Sequence, residues 1–380
     1  VQATIVENVA ALQPLEPTWR ALAEERGNAF VSPEWFGAFL RQYGEAFRPF
    51  VAVVRNDAGE VLGLLPLVVS TSGRRRILQF AGANLGDCFH PVCAEAADEM
   101  VAAACAAALA KRNRDWNMAV FHHVPADAAW PRAFVQASQN ALALTRDTPF
   151  ALPFLRLDGL DWTAFLAARS TSLRKALAYE LRRLERSHAV SFSCAASADQ
   201  VRTGIDRFLE LHDLRWSDRG GSSLATERAH LFLRDFAHAA FDAGWLRLWA
   251  MEIDGQPIAE WFGWKIGSRY AFFQSGFDPA WSRNSPGLLL VAHTIRQAIE
   301  EGARDYDMLL GDEAYKARFG PDRRSVATVV VTPSLHPLRV LTMTDLALRR
   351  LARALPAGPR ARIHALATPL LRRLPTSRSR

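Results

Sequence analysis

Three carboxylates and one phenol occupy positions with chemical meaning. Glu260 interrupts the apolar run at 258–264, where a carboxylate is costly unless it has a partner. Asp312, Glu313, Tyr315 and Lys316 cluster directly after the strand-like stretch at 305–310. Carboxylates beside a tyrosine at a strand end can take and return protons. Plainer explanations stand beside each: an exposed strand position for Glu260, a surface turn for Asp312 and Glu313, a packed ring for Tyr315. Lys316 would orient an anion, or pair with Glu313 three residues away. Upstream, Ser285-Pro286-Gly287 reads as a helix start. The Ser285 hydroxyl suits the cap, Pro286 the first helical position, and Gly287 leaves the backbone approachable. Arg283 and Asn284 precede it and add charge and donors. An uncrowded helix start receives anions such as a pyrophosphate; the alternative is a buried helix that merely begins there. His212, Arg215 and Trp216 close a further helix pattern, with His212 and Arg215 on one face. They would suit a polar acceptor, or Trp216 would simply close its helix against the core.

The elements that must carry these residues repeat. Residues 52–55, a glycine turn and 61–64 parallel 250–253, a glycine turn and 258–261. Each hairpin precedes a strand, a loop, a helix and another strand: 77–81, 94–112 and 116–121 in the first copy, 270–275, 286–301 and 305–310 in the second. One return strand is expected over 61–69 and one long helix over 161–187, and Asp254-Gly255 is a two-residue hairpin turn. The first copy lacks both Ser-Pro-Gly and the Tyr-Lys cluster, so chemistry is expected in the second. The organisation expected is a degenerate domain over 1–150, an active domain over 151–335, and a basic helical tail over 336–380.

Composition is that of a globular chain, 49% hydrophobic and 22% charged, and four cysteines make no disulfide framework at 380 residues. No signal peptide or membrane span is expected, and the cytoplasm is the expected compartment, with the inner membrane face as an option. The net charge of +7 sits in the tail, which holds ten Arg, no Lys and one acid. Such a tail can meet anionic lipid or nucleic acid, or remain solvated. No phosphate-loop, dinucleotide or nucleophile-elbow motif occurs. Cys88-Phe89-His90-Pro91-Val92-Cys93 has ligand-like residue types but no second cluster, and His122-His123 adds none, so no metal site is expected.

The segment 155–320 resembles the acetyl-CoA-binding core of GNAT acyltransferases. More closely, it is similar to the bacterial CelD-like acetyltransferases associated with cellulose and exopolysaccharide biosynthesis. The resemblance rests on Glu210-Leu211-His212-Asp213-Leu214-Arg215-Trp216, Gln274-Ser275-Gly276-Phe277-Asp278, Ser285-Pro286-Gly287-Leu288-Leu289, and Gly311-Asp312-Glu313-Ala314-Tyr315-Lys316-Ala317-Arg318-Phe319. The architecture is shared with Fem-type aminoacyl transferases. The resemblance implies an α/β fold of tandem GNAT-like domains, each a mixed, largely antiparallel sheet flanked by helices. It implies acetyl transfer from acetyl-CoA to an amine or hydroxyl, with no metal. Coenzyme A would lie on Arg283, Asn284, Ser285, Gly287 and Leu288. Tyr315 would protonate the leaving thiolate, and Glu260 or Asp312, ahead of Glu313, would act as base. His212, Arg215, Trp216, Glu313 and Lys316 would meet a small-molecule or saccharide acceptor. The alternatives are a Fem-like enzyme using charged tRNA, which the basic residues Arg174 to Arg186 would suit, and a non-catalytic scaffold of a polysaccharide synthase.

Overall fold

The computed structural model describes residues 1–70, 76–137, 142–147, 150–216, 224, 226–311 and 313–333. Asp312, the polar loop 217–223, the Trp216 side chain and the expected tail helices lie outside the described residues. The chain divides into two units. One holds Val1–Phe150 with the described residues from Ser325 onward; the other holds Ala151–Arg324.

The first unit contains β1 (Gln2–Val6), α1 (Val9–Leu12), α2 (Glu16–Glu25), α3 (Pro33–Tyr43), β2 (Phe47–Pro49), β3 (Val51–Arg55) and β4 (Val61–Leu65). It continues through β5 (Leu67–Ser70), β6 (Ile77–Phe80), α4 (Asp98–Lys111), β7 (Met118–Pro125), α5 (Trp130–Gln136) and β8 (Leu142–Arg146). The single return strand expected over 61–69 is two strands. Pro66 has no N–H to give a ladder, and the chain changes sheets there. β4 pairs with β3 while β5 lies between β2 and β6.

The second unit begins with β9 (Phe150–Arg156), α6 (Trp162–Ala167), α7 (Thr171–Glu185), β10 (Val190–Cys194), α8 (Ala198–Trp216) and α9 (Glu227–Asp242). Then come β11 (Leu246–Ile253), β12 (Gln256–Ile266), β13 (Arg269–Phe277), α10 (Pro286–Glu300), β14 (Asp305–Asp307), α11 (Ala314–Arg318) and β15 (Asp322–Pro333). The long helix expected over 161–187 is divided. Ser170 leaves helical geometry and caps α7 by accepting from Leu173 N–H, as a serine between two helical stretches is suited to do. Strand order is β10-β11-β12-β13-β14-β9, with only β13 and β14 parallel. Residues 325–333 of β15 belong to the first unit, where they pair with β7 and β8.

Both units share one order of pairing. β1, β3, the β4/β5 strand and β6 run antiparallel before α4 leads to the parallel β7. β10, β11, β12 and β13 do the same before α10 leads to the parallel β14. The expected mixed α/β fold with flanking helices is therefore present, as is the expected repeat.

In the second unit, strand alternation sorts the side chains onto two faces. Trp249, Met251, Trp261 and Phe272 bury against Leu177 and Leu184 of α7 and Leu288, Val291 and Ile295 of α10. Burying each such aliphatic side chain of α10 stabilises by about 1.5–3 kcal/mol. On the other face, Phe262 meets Phe208 of α8 and Phe236 of α9. Gly276 allows α8 to approach this face closely. A Cβ there would lie 2.5 Å from the Leu211 carbonyl carbon and would overlap His212 N.

Candidate functional site

The parallel pair at the centre of the second unit is short. β13 and β14 match only at Arg269–Asp305, Tyr270–Tyr306 and Ala271–Asp307, after which β14 ends and β13 runs on to Phe277. The β12–β13 register shifts at the same level, so that Phe262 faces Gln274 while Gly263 faces Phe272. The bulge increases the local bend of β13. Beyond Ala271, β14 no longer accompanies β13. Arg215, from the last turn of α8, meets the strand there: its Nη1 donates to Ser275 O at 3.0 Å and to Ser275 Oγ at 2.9 Å. Its guanidinium carbon also stands 5.2 Å from the Phe277 ring centre.

The loop after β14 is built by one lysine. Leu309 and Gly311 take positive φ values of 53° and 129°, and Leu309 N–H donates to Asp307 Oδ1 at 3.0 Å. The buried Lys316 ammonium donates to Met308 O at 2.9 Å and Leu310 O at 3.0 Å, and lies 3.0 Å from Glu313 Oε2. Two carbonyls thus accept from the ammonium, and Glu313 pairs with its charge. A Cβ on Gly311 would overlap the Glu313 carboxylate and lie 2.9 Å from Lys316 Nζ, so both the φ and the packing require glycine. Lys316 therefore shapes the loop; its ammonium is already engaged by carbonyls and Glu313, which explains why it does not present itself to an acceptor.

That loop leads into α11 and Tyr315, which packs against the α7/α10 cluster. Burial pushes the Tyr315 phenol well above its usual range; Glu313 adds to this, while the charge of Arg215 and its hydrogen bond to the phenol oppose it. Tyr315 accordingly carries its proton across the physiological range, as a proton donor must. Arg215 connects it to the unaccompanied end of β13. Tyr315 and Arg215 stand in separate motifs of the sequence; the structure brings Arg215 to the Tyr315 phenol and also to Ser275, a residue with no role expected beyond its motif. The polar strand end Gln274-Ser275-Gly276 was the available signal.

The start of α10 differs from the expected cap. Ser285 is left-handed, φ 51° and ψ 45°, and its side chain makes no capping bond. Instead its carbonyl accepts from Leu288 N–H at 3.0 Å and Leu289 N–H at 3.1 Å. The reason is the preceding 3-10 turn over Pro279–Asn284, capped by Asp278 through Ala280 N–H. Closing that turn ties Ser285 N–H to Ser282 O and forces the left-handed residue before the helix. Pro286 has no N–H, which leaves Gly287 N–H as the first-turn donor without an acceptor among the described residues. A Cβ on Gly287 would make ordinary contact with Phe277, at 3.5 Å. No acid stands in the first turn of α10. Asn284 is half-buried and Arg283 exposed, its carbonyl accepting from Arg183 Nη2 of α7 at 2.8 Å. The Leu288 side chain is in the core, so only its backbone faces the question of cofactor contact.

The remaining candidates lie elsewhere. His212 is fully buried within α8, beside Phe208 and 3.5 Å from Asp213. It is core rather than an exposed acceptor contact, because α8 lies directly on Gly276. Glu260 is buried on the α8 face of β12, whereas Tyr315 packs on the α7/α10 face. Burial raises the Glu260 pKa to about 8, against the opposing charge of Arg207, whose Nη1 is 3.7 Å from Oε1. The structure therefore does not bring Glu260 together with Tyr315 and Arg215. Arg207 carried no signal in the sequence. In the first unit, His90 is held by Asn28 and by the Pro91 carbonyl, and Cys93 by Asp98. Among the described residues no group of three or more His, Cys, Asp or Glu is placed to hold a metal, and no helix is long and apolar enough to cross a membrane.

Residues 171–317 match the family model described as "Acetyltransferase (GNAT) domain". The matched residues lie within the second unit, which is thus similar to a GNAT domain. No curated protein matches the chain. Among solved structures, FemX aligns with a TM-score of 0.66 at 9% identity, covering 90% of this chain and 99% of that one. The C-terminal domain of a putative lysylphosphatidylglycerol synthetase from Agrobacterium fabrum aligns at 0.53 and 13% identity, covering 88% and 96%. L-PGS from Bacillus licheniformis aligns at 0.51 and 13% identity, covering 87% and 96%. At these identities the likeness is one of fold, and it extends over both units.

Proposed function

We propose that the second unit transfers an acetyl group from acetyl-CoA to an amine or hydroxyl. The observation that carries this reading is the parting of β13 from β14, with Tyr315 held beside β13 by Arg215. A thioester placed in that opening would have β13 on one side and the Tyr315 hydroxyl on the other. The acceptor nitrogen or oxygen would form its bond to the thioester carbon as the C–S bond breaks. The departing thiolate would take the Tyr315 proton, and the acceptor proton would go to a carboxylate or to solvent. Glu313 is engaged by Lys316 and Glu260 faces α8, so the base role falls to Asp312 by its place between Gly311 and Glu313. Gly287 N–H, with the donors of Arg283, Asn284 and Ser285, would receive the pyrophosphate at the start of α10, and Leu288 would support it through its backbone.

The resemblance to CelD-like enzymes supports a saccharide acceptor in exopolysaccharide or cellulose biosynthesis, with an anionic membrane surface as partner of the basic tail. Single-turnover transfer from acetyl-CoA tests the site. Tyr315→Phe is expected to slow the chemical step by about 10²-fold while coenzyme A affinity is retained. An unchanged chemical step would remove Tyr315 from the reaction.

A second reading, aminoacyl transfer from charged tRNA, is favoured by α7 and its C-cap, which expose Arg174, Lys175, Arg182 and Arg186. The likeness in fold to FemX and to lysylphosphatidylglycerol synthetase supports it as well. Thermal stabilisation by charged tRNA and none by coenzyme A would select this reading.

A further inference from the structure

On the α8 face of the second unit, between α8 and strands β10–β12, lies an open cavity of about 290 Å³. Glu260 lines it, 1% exposed, with an Oε1 that has no hydrogen-bond partner. Leaving a buried acceptor unmet costs about 1–3 kcal/mol, so this oxygen calls for a donor from within the cavity. Arg207 shares that region, its Nη1 3.7 Å from the same oxygen, outside hydrogen-bond reach. The rim is acidic: Glu252 accepts from Ser191 Oγ at 3.2 Å and Ser193 Oγ at 3.3 Å, and Asp199 stands at the mouth beside Arg202. Leu248 and Ala250 supply an apolar wall.

We propose that this cavity binds a small neutral polyhydroxylated molecule of the sugar class, whose hydroxyls bridge Glu260 and Arg207. The charges select against the alternatives. An anion would meet Glu252 and Asp199 on entry, and a cation would meet Arg207 at the base. A hydroxyl both donates and accepts, so one ligand can satisfy the Glu260 carboxyl and the Arg207 guanidinium together. The C–H face of such a ring would lie on Leu248 and Ala250. The site is on the sheet face opposite Tyr315 and does not depend on the acyl-transfer reading.

The test is calorimetric titration of the full chain with glucose, galactose, N-acetylglucosamine and cellobiose, and with glucosamine and gluconate as charged counterparts. At least one neutral sugar is expected to bind, and each charged counterpart to bind about tenfold more weakly or less. Thr203→Phe, at an exposed α8 position lining the cavity, should abolish that binding without lowering the melting temperature. Glu260→Leu should weaken it about tenfold or more, while Glu260→Gln, which keeps an amide donor and acceptor, should retain it. No heat with any neutral sugar would mean the cavity holds only water and would overturn the proposal. Preference for glucosamine or gluconate, or binding that survives Thr203→Phe, would overturn it equally.

Discussion

Replacing Glu260 by Gln isolates the energetic consequence of burying a carboxyl at the base of that cavity. In the folded chain its pKa rises from 4.5 to about 8, chiefly because burial disfavours the ionised form. The sign follows from proton linkage. Between these values the folded chain holds the proton and the unfolded chain does not, so stability falls as pH rises from about 4.5 to about 8. Below that window both states are protonated and no penalty exists; above it both are ionised and the penalty is complete. The displacement corresponds to a loss on the order of 3–5 kcal/mol. Arg207 already opposes it, at 3.7 Å. Gln has nearly the same shape and cannot ionise, so the variant should show none of this loss. Thermal melts of both proteins at about pH 5 and about pH 9 provide the assay. For a unit of this size, about 2–4 °C accompanies each kcal/mol, so the second-unit transition should separate by roughly 10 °C at the alkaline end and converge at the acidic end. Parallel curves would show that Glu260 ionises in the fold at little cost. A variant less stable than wild type at alkaline pH would show that attraction to Arg207 outweighs desolvation.

Two glycine-related substitutions test the frame around the site. Ser285→Gly should raise stability by about 1 kcal/mol, because Ser285 is left-handed and its hydroxyl caps nothing; a lower melting temperature would show that the hydroxyl holds the turn in solution. Gly276→Ala should cost about 3 kcal/mol or more, because its Cβ would lie 2.5 Å from the backbone of Leu211 and overlap that of His212; an unchanged denaturation midpoint would show that α8 can withdraw from the sheet.

What was legible in the sequence is what depends on local pattern. The hairpin turn at Asp254-Gly255 has both residues at positive φ, 52° and 77°, and β11 begins and ends where its apolar run does. The repeat was legible because the hairpin, helix and final strand recur in order. What was not legible depends on tertiary placement. The pattern of residues 61–69 is continuous, and only the two different partners of β4 and β5 show that Pro66 divides it. Ser285 has the composition of a cap, but the 3-10 turn before it fixes a backbone in which the hydroxyl cannot serve. Glu260 was recognised as anomalous in an apolar strand, yet strand alternation alone does not say which face carries the chemistry. Lys316 looked like an available cation until the two positive-φ residues of its loop turned carbonyls onto it.

On the acyl-transfer reading, one unit and not both would hold coenzyme A. α4 and α10 occupy equivalent places between an antiparallel sheet and its parallel strand, so topology alone would allow two sites. Their first turns differ in charge. α4 begins with Asp98 and Glu99; Asp98 already receives Arg26 Nη1 at 2.8 Å and Nη2 at 3.3 Å, together with Cys93 Sγ at 3.3 Å. Its positive end is thus complemented by its own carboxylates, which would repel a pyrophosphate. α10 has no acid in its first turn and keeps the Gly287 N–H without an acceptor among the described residues. Titration calorimetry with coenzyme A should therefore give one site per chain. Gly287→Ala should weaken it by about tenfold without loss of stability, since the new methyl meets Phe277 at an ordinary 3.5 Å. Two sites per chain would break the link between the charge of the helix start and the cofactor, and a single site indifferent to Gly287→Ala would show that the ligand does not approach the backbone at Gly287.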